Sequence, residues 1–208
     1  AMDNDDYRRG QLTNHKKFGE DLAILAGDAL FLDPFGMIAA SQLPDRVKVA
    51  LILELSDASG SRGMVAGQVL DMEGEHKQLT LAELQTIHAN KTGRLLAYPF
   101  IAAASILELQ ADIAQLLETI GKTLGLAFQV RDDILDLVAD FEALGKTPQK
   151  DLVAEKSTYP ALLGLEESKA LLKSELDACE DLLDQIRVAY DFDPQAIKKL
   201  IEGLRIDG

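Results

Sequence analysis

The feature that most constrains this sequence is one unbroken apolar stripe that ends in carboxylates. Between Asp112 and Asp140, the residues Ile113, Leu116, Leu117, Ile120, Leu124 and Ala127 recur at helical intervals, the spacing that lines one face of an α-helix. The stripe runs directly into Arg131, Asp132 and Asp133, with Asp136 one turn further on. At about 100° per residue these three aspartates fall within roughly one quadrant, and Gln129 lies close to the same arc. Locally the cluster is unfavourable, because like charges at i,i+4 cost about 0.2–0.5 kcal/mol and a carboxylate near a helix C-terminus faces the negative pole of the dipole. A compensating cation is therefore expected. Leu126, Ala127, Phe128, Val130, Ile134 and Leu135 flank the acids, which predicts a buried helix whose acidic ridge points into a cavity instead of bulk water. Lys146, Lys150 and Lys156 follow around Gly145. Carboxylates and ammonium groups converging on one cavity suit a magnesium diphosphate, since Mg²⁺ takes a few carboxylate oxygens and completes its shell with water and phosphate.

The remaining sequence reads as further helices. Phe18, Leu22, Leu25, Ala26 and Ala29 keep helical spacing until Asp33-Pro34, where a kink or break is expected. Val47, Leu51 and Leu55 mark a helix from Pro44 to the Gly60 stop. A short helix is expected within Ser61 to Glu75, and Thr80 with Glu83 three residues on forms a capping-box signature that opens a long helix. Leu165 to Ala189 and Pro194 to Leu204 are amphipathic, Asp140 to Ser157 reads as a loop, and Ala1 to Asn14 reads as a helix end followed by a loop. There is no period-two strand pattern and no internal repeat. Hydrophobic residues make up 47% of the chain but aromatics only 5%, with no Trp, so the core is expected to use the aliphatic side chains that fill helix interfaces. The expectation is one all-α domain over residues 1–208, a helical bundle.

A formal charge of −14 argues against nucleic acid as a partner, because counterion release needs clustered Lys and Arg. The one cysteine, Cys179, has no intrachain partner, consistent with a reducing, cytoplasmic setting. No basic-then-apolar leader opens the sequence, and the apolar stretch Leu95 to Leu107, interrupted by Pro99, is too short to span a bilayer of about 20 helical residues. It reads as a buried helix.

The run Phe128-Gln129-Val130-Arg131-Asp132-Asp133-Ile134-Leu135-Asp136, with Gly145-Lys146, Lys150-Asp151 and Lys156-Ser157-Thr158-Tyr159-Pro160 downstream, closely resembles the second aspartate-rich motif and following loop of short-chain trans-isoprenyl diphosphate synthases, the farnesyl and geranylgeranyl diphosphate synthases. Lys91-Thr92-Gly93 resembles their diphosphate-binding helix break. Gly63 to Gln68 with Asp71 resembles the helix before it, and Asn4 to Gly10 with Thr13-Asn14-His15 resembles the segment after the first aspartate-rich motif. The resemblance implies an isoprenoid synthase-type helical bundle around a central cavity and a prenyltransferase that joins isopentenyl diphosphate to an allylic diphosphate. It implies that Asp132, Asp133 and Asp136 hold magnesium, with Asp3 as the last aspartate of the first motif. It further implies that Lys91, Lys146 and Arg8 grip the allylic diphosphate, that Arg9 contacts isopentenyl diphosphate with Phe128 beside its tail, and that Thr92 and Gln129 face the nascent allylic cation. A homodimer is expected by the same analogy. His15, His76 and His88 are expected to be surface or packing residues, since this chemistry needs no histidine base.

The sequence departs from the family at its start. The two aspartates that normally precede Asp3 are absent, as are the family's preceding helices, so an N-terminally truncated bundle is expected and weak or no turnover by the 208-residue chain alone. The residues that set product length lie upstream, so C10, C15 or C20 is not legible here. Two other functions fit parts of the pattern: a class I terpene cyclase, which shares the carboxylates but lacks the isopentenyl site, and a non-catalytic helical dimerisation partner derived from such an enzyme.

Overall fold

Residues 4–138, 157–190 and 192–206 are described in the computed structural model. Its centre is the striped helix. Ala111–Val138 forms one helix, α7, and Ile120, Ala127, Val130 and Ile134 on it are completely buried. Arg94–Ile106 (α6) packs along one side of α7, and Leu165–Ala189 (α9) along the other. The α9 contribution is a second stripe, Leu172, Leu176, Cys179, Leu183 and Ile186, all buried. Each such aliphatic side chain withdrawn from water contributes about 1.5–3 kcal/mol. This layer is what holds the acidic end of α7 in place.

The N-terminal helices stack outward from α6. Asp45–Ser59 (α3) packs on α6 through Val47, Leu51 and Leu55, and Glu20–Ala40 (α2) packs on α3 and on the short helix Asn14–Phe18 (α1). Met64–Gly74 (α4) and Leu81–His88 (α5) lie at the other end of the layer. Thr80 caps α5 as expected: Glu83 N–H donates to its hydroxyl at 3.3 Å, and Thr80 N–H donates to the Glu83 carboxylate at 2.8 Å. Tyr159–Leu163 (α8) precedes α9, and Gln195–Glu202 (α10) follows it, tied back by Lys198 to Asp184 and by Arg205 to Asp177 and Glu180.

Two local expectations are corrected. Pro34 does not break its helix: α2 runs through it to Ala40. The carbonyl that Pro34 leaves without a donor belongs to Leu30, which is exposed, so water can take that bond. The loop expected before Asn14 contains a two-strand antiparallel hairpin, Tyr7–Arg8 (β1) with Gln11–Leu12 (β2), while residues 1–3, where the expected helix end falls, lie outside the described residues. Its two-residue turn needs left-handed backbone at both positions, and Arg9 (φ 52°) and Gly10 (φ 73°) supply it. By length and mean hydropathy (1.6) alone, α2 is long and apolar enough to cross a membrane. It carries Asp28 and Asp33, packs on α1 and α3, and leaves apolar side chains exposed. Cys179 is fully buried, and burial pushes its thiol up to about 12.

Candidate active site

The helix break anticipated at Lys91-Thr92-Gly93 is a widened turn. Ala89–Gly93 forms one turn of π-helix between α5 and α6, with right-handed helical backbone on both sides, so Leu81 to Ile106 runs on with one extra residue inserted. Such bulges project side chains that a regular helix would hide. Two glycines allow neighbouring helices to reach it. A Cβ at Gly67 of α4 would overlap the backbone nitrogen of Lys91, and one at Gly125 of α7 would lie 2.7 Å from Gly93 Cα. The π turn is therefore clamped by backbone on two sides.

That clamp brings Thr92 against α7. The Thr92 hydroxyl donates to Gln129 Oε1 at 3.1 Å, Gln129 Nε2 donates to Asp133 Oδ1 at 3.1 Å, and Tyr159 N–H donates to Asp133 Oδ2 at 3.0 Å. The chain of bonds has one direction. It begins on a hydroxyl of the π turn and ends on a carboxylate buried to 5% exposure, and low-dielectric surroundings strengthen each bond in such a series. Asp136 is buried to 4% exposure, and Asp132 is half-buried. The acidic ridge is thus turned inward, as the flanking residues predicted, although Phe128 on the same turn is 40% exposed.

Lys91 Nζ lies 2.7 Å from Asp71 Oδ2 of α4, with both side chains partly buried. Asp71 was noted in the sequence only as part of a helix, and the pair supplies a cation–carboxylate contact across twenty residues that no spacing rule reveals. Two more residues were missed. Tyr159 anchors Asp133 through its backbone, and its ring, fully buried, lies 5.4 Å centroid to centroid from that of His88, the last residue of α5. Burial holds His88 down at about 4, with Asp71 pulling the other way and Lys91 adding to the depression, while burial beside Asp133 pushes the Tyr159 phenol well above its ordinary range. Of the expected non-catalytic histidines, His15 and His88 are buried and His76 is exposed.

The structure joins Thr92, Gln129 and Asp133 directly, with Lys91 next to Thr92 in the π turn and Asp132 and Asp136 on the same helix turns as Asp133. Arg8 and Arg9 lie exposed on the hairpin, and no ion pair or hydrogen bond among the described residues joins them to the acidic ridge. Asp3, Lys146, Lys150 and Lys156 lie outside the described residues. Among the described residues no three His, Cys, Asp or Glu side chains converge tightly enough to cage an ion by themselves. The donors are nevertheless hard oxygens in a recessed ridge, which fits an ion that draws the rest of its shell from water and phosphate.

Known proteins share this sequence and this fold. The polyprenyl synthetase family pattern matches residues 1–191. The chain is 53% identical over 191 residues to the farnesyl diphosphate synthase of Micrococcus luteus, covering 92% of this chain and 66% of that protein. It is 48% identical over 183 residues to that of Geobacillus stearothermophilus, covering 86% of this chain and 62% of that one. The geranyltransferase of Helicobacter pylori, solved with magnesium and isoprenyl diphosphate, superposes with a TM-score of 0.84 at 32% identity, over 97% of this chain and 65% of its own. The chain spans about two-thirds of the length of the relatives it matches. With helical architecture, motif and overall similarity in agreement, this chain belongs to the polyprenyl synthetase family.

Proposed function

We propose that the protein containing this chain is a prenyltransferase that condenses isopentenyl diphosphate with an allylic diphosphate, dimethylallyl or geranyl, to give a farnesyl- or geranylgeranyl-type product. The observation that carries the reading is the directed series from Thr92 through Gln129 to Asp133 beside Lys91. The Thr92 proton is committed to Gln129, so the Thr92 oxygen offers lone pairs to an electron-poor carbon, and the buried carboxylate at the far end makes that oxygen more negative. A cation stabilised this way needs no histidine base.

In this reading the allylic C1–O bond breaks and its electron pair leaves on the diphosphate. Lys91, already held by Asp71, would share its ammonium with the diphosphate oxygens, and Arg8 and Lys146 would add charge from the hairpin and the downstream segment. The isopentenyl double bond supplies the pair for the new C–C bond, with Arg9 and Phe128 proposed at that substrate. A proton then passes to the departed diphosphate. Asp132, Asp133 and Asp136, with Asp3, would hold magnesium, which when bound supplies charge stabilisation to the leaving group. Asp133 already accepts bonds at both oxygens, so its part is expected to be orientation of the ridge as much as ligation.

The exposed apolar side chains of α2, among them Leu22, Leu25, Leu30 and Leu32, support a homodimer with α2 in the interface. The reduced, buried Cys179 is in keeping with a cytoplasmic protein. The direct test is magnesium-dependent binding of inorganic pyrophosphate to this chain, with turnover of geranyl diphosphate and radiolabelled isopentenyl diphosphate by the full-length protein. Magnesium-dependent binding and an elongated product support the reading. Pyrophosphate binding that ignores magnesium, or a full-length protein that cyclises geranyl diphosphate without consuming isopentenyl diphosphate, overturns it.

A further inference from the structure

Three buried polar atoms near the site lack a hydrogen-bond partner among the described residues: Arg131 Nε beside Asp132, and the ring atoms His88 Nδ1 and the Tyr159 hydroxyl oxygen. An unpaired buried polar group is costly to keep, and such groups in native proteins call for a reason. The latter two belong to adjacent rings, with centroids 5.4 Å apart and planes inclined at 44°. They are also complementary: a neutral imidazole has one accepting nitrogen, and a phenol has one proton to give.

We propose that His88 and Tyr159 are a positioning pair, with the Tyr159 hydroxyl donating to His88 Nδ1 once the imidazole turns about its Cβ–Cγ bond, and that this bond fixes the spacing between Lys91 and Asp133. The covalent connections make the link short. His88 caps the π turn that carries Lys91 three residues later, and Tyr159 holds Asp133 through its backbone N–H at 3.0 Å. A bond between the two rings therefore ties the ammonium arm of the site to the carboxylate arm without touching substrate. A neutral imidazole and a protonated phenol are the two states that such a bond requires. The pair's consequence for ligand binding rests on the magnesium diphosphate reading given above.

The test uses ¹⁵N-labelled histidine in this chain, whose three histidines give few resonances to assign, together with calorimetry using magnesium and inorganic pyrophosphate. In the unsubstituted protein the His88 Nδ1 resonance is expected upfield of its position in Y159F, because an accepted proton shields it. Y159F is expected to weaken magnesium pyrophosphate binding by about 5-fold, the loss of one neutral hydrogen bond, with its helical circular dichroism unchanged. H88N places an amide oxygen near the Nδ1 position and is expected to keep the affinity, whereas H88L loses it. Identical Nδ1 shifts in the unsubstituted protein and Y159F overturn the bond. Unchanged affinity in Y159F overturns the positioning role, even if H88L fails to fold. No binding by the unsubstituted protein overturns the diphosphate reading and, with it, the role assigned to the pair.

Discussion

The Thr92 hydroxyl and Gln129 Oε1 lie 3.1 Å apart across the interface between the π turn and α7, with the hydroxyl as donor. Because Gln129 passes its own amide proton to Asp133, the orientation of its side chain is fixed by the carboxylate, and the direction of the Thr92 bond follows from that.

Replacing Thr92 with Val keeps the shape and removes the donor. In the full-length protein, turnover of geranyl with isopentenyl diphosphate is expected to fall about 10- to 100-fold, with KM little changed, since the lost interaction matters most as charge develops. Steady-state kinetics check this, and a rise in KM with turnover intact would assign Thr92 to ground-state binding.

Asp71→Ala leaves the Lys91 ammonium, 30% exposed, without its carboxylate at 2.7 Å. The pair lies between the exposed and buried regimes, so a loss of about 1–2 kcal/mol is expected in urea denaturation. A change within error would mean that water solvates Lys91 as well as Asp71 does.

Acid should weaken the fold through His88. Its folded pKa, about 4, lies below the ordinary 6.5, so the unfolded chain takes up the proton first. The stability linked to His88 is complete above about pH 6.5 and is lost as the pH falls towards 4, with a ceiling of about 3 kcal/mol. Denaturation midpoints between pH 7 and 4.5, compared with His88→Leu, measure it; parallel pH profiles for the two proteins would contradict the assignment.

Gly125→Val would drive side-chain carbons into Gly93, whose Cα lies 2.7 Å from the position of the first added atom. The helices must separate, and a loss of about 1–3 kcal/mol is expected from overpacking. Because Gly93 ends the π turn, magnesium pyrophosphate binding should fall along with the melting temperature. Retained affinity in a destabilised variant would show that the turn survives without this contact.

Leu25 and Leu32, seven residues apart on α2 and exposed at 62% and 66%, share one face of that helix. Glu at both positions should convert a dimer into a monomer in sedimentation equilibrium without lowering helical content. An unsubstituted chain that sediments as a monomer would remove the interface.

The helices and the acidic ridge were legible from one-dimensional patterns. The Ile113 to Ala127 stripe located α7, the Thr80–Glu83 box located the start of α5, and α9 fell on Leu165–Ala189 as expected. The hairpin at Tyr7 to Leu12 escaped because strands of two residues have no period to detect, and of the kink or break expected at Pro34 the break did not occur because α2 continues on both sides. His88 and Tyr159 escaped for another reason. An imidazole and a phenol separated by seventy-one residues carry no mark in sequence of facing each other.

What the sequence by itself determined is everything that depends on neighbours along the chain: helical periodicity, caps, the shared arc of Asp132, Asp133 and Asp136, and the family. What only the tertiary structure decided is which distant groups meet. Gly67 and Gly125 let backbones approach until Lys91 met Asp71 and Thr92 met Gln129. Those pairings depend on helix crossing distances set by whole packed interfaces, and the burial that makes them strong is a property of the assembled layer and not of any residue in it.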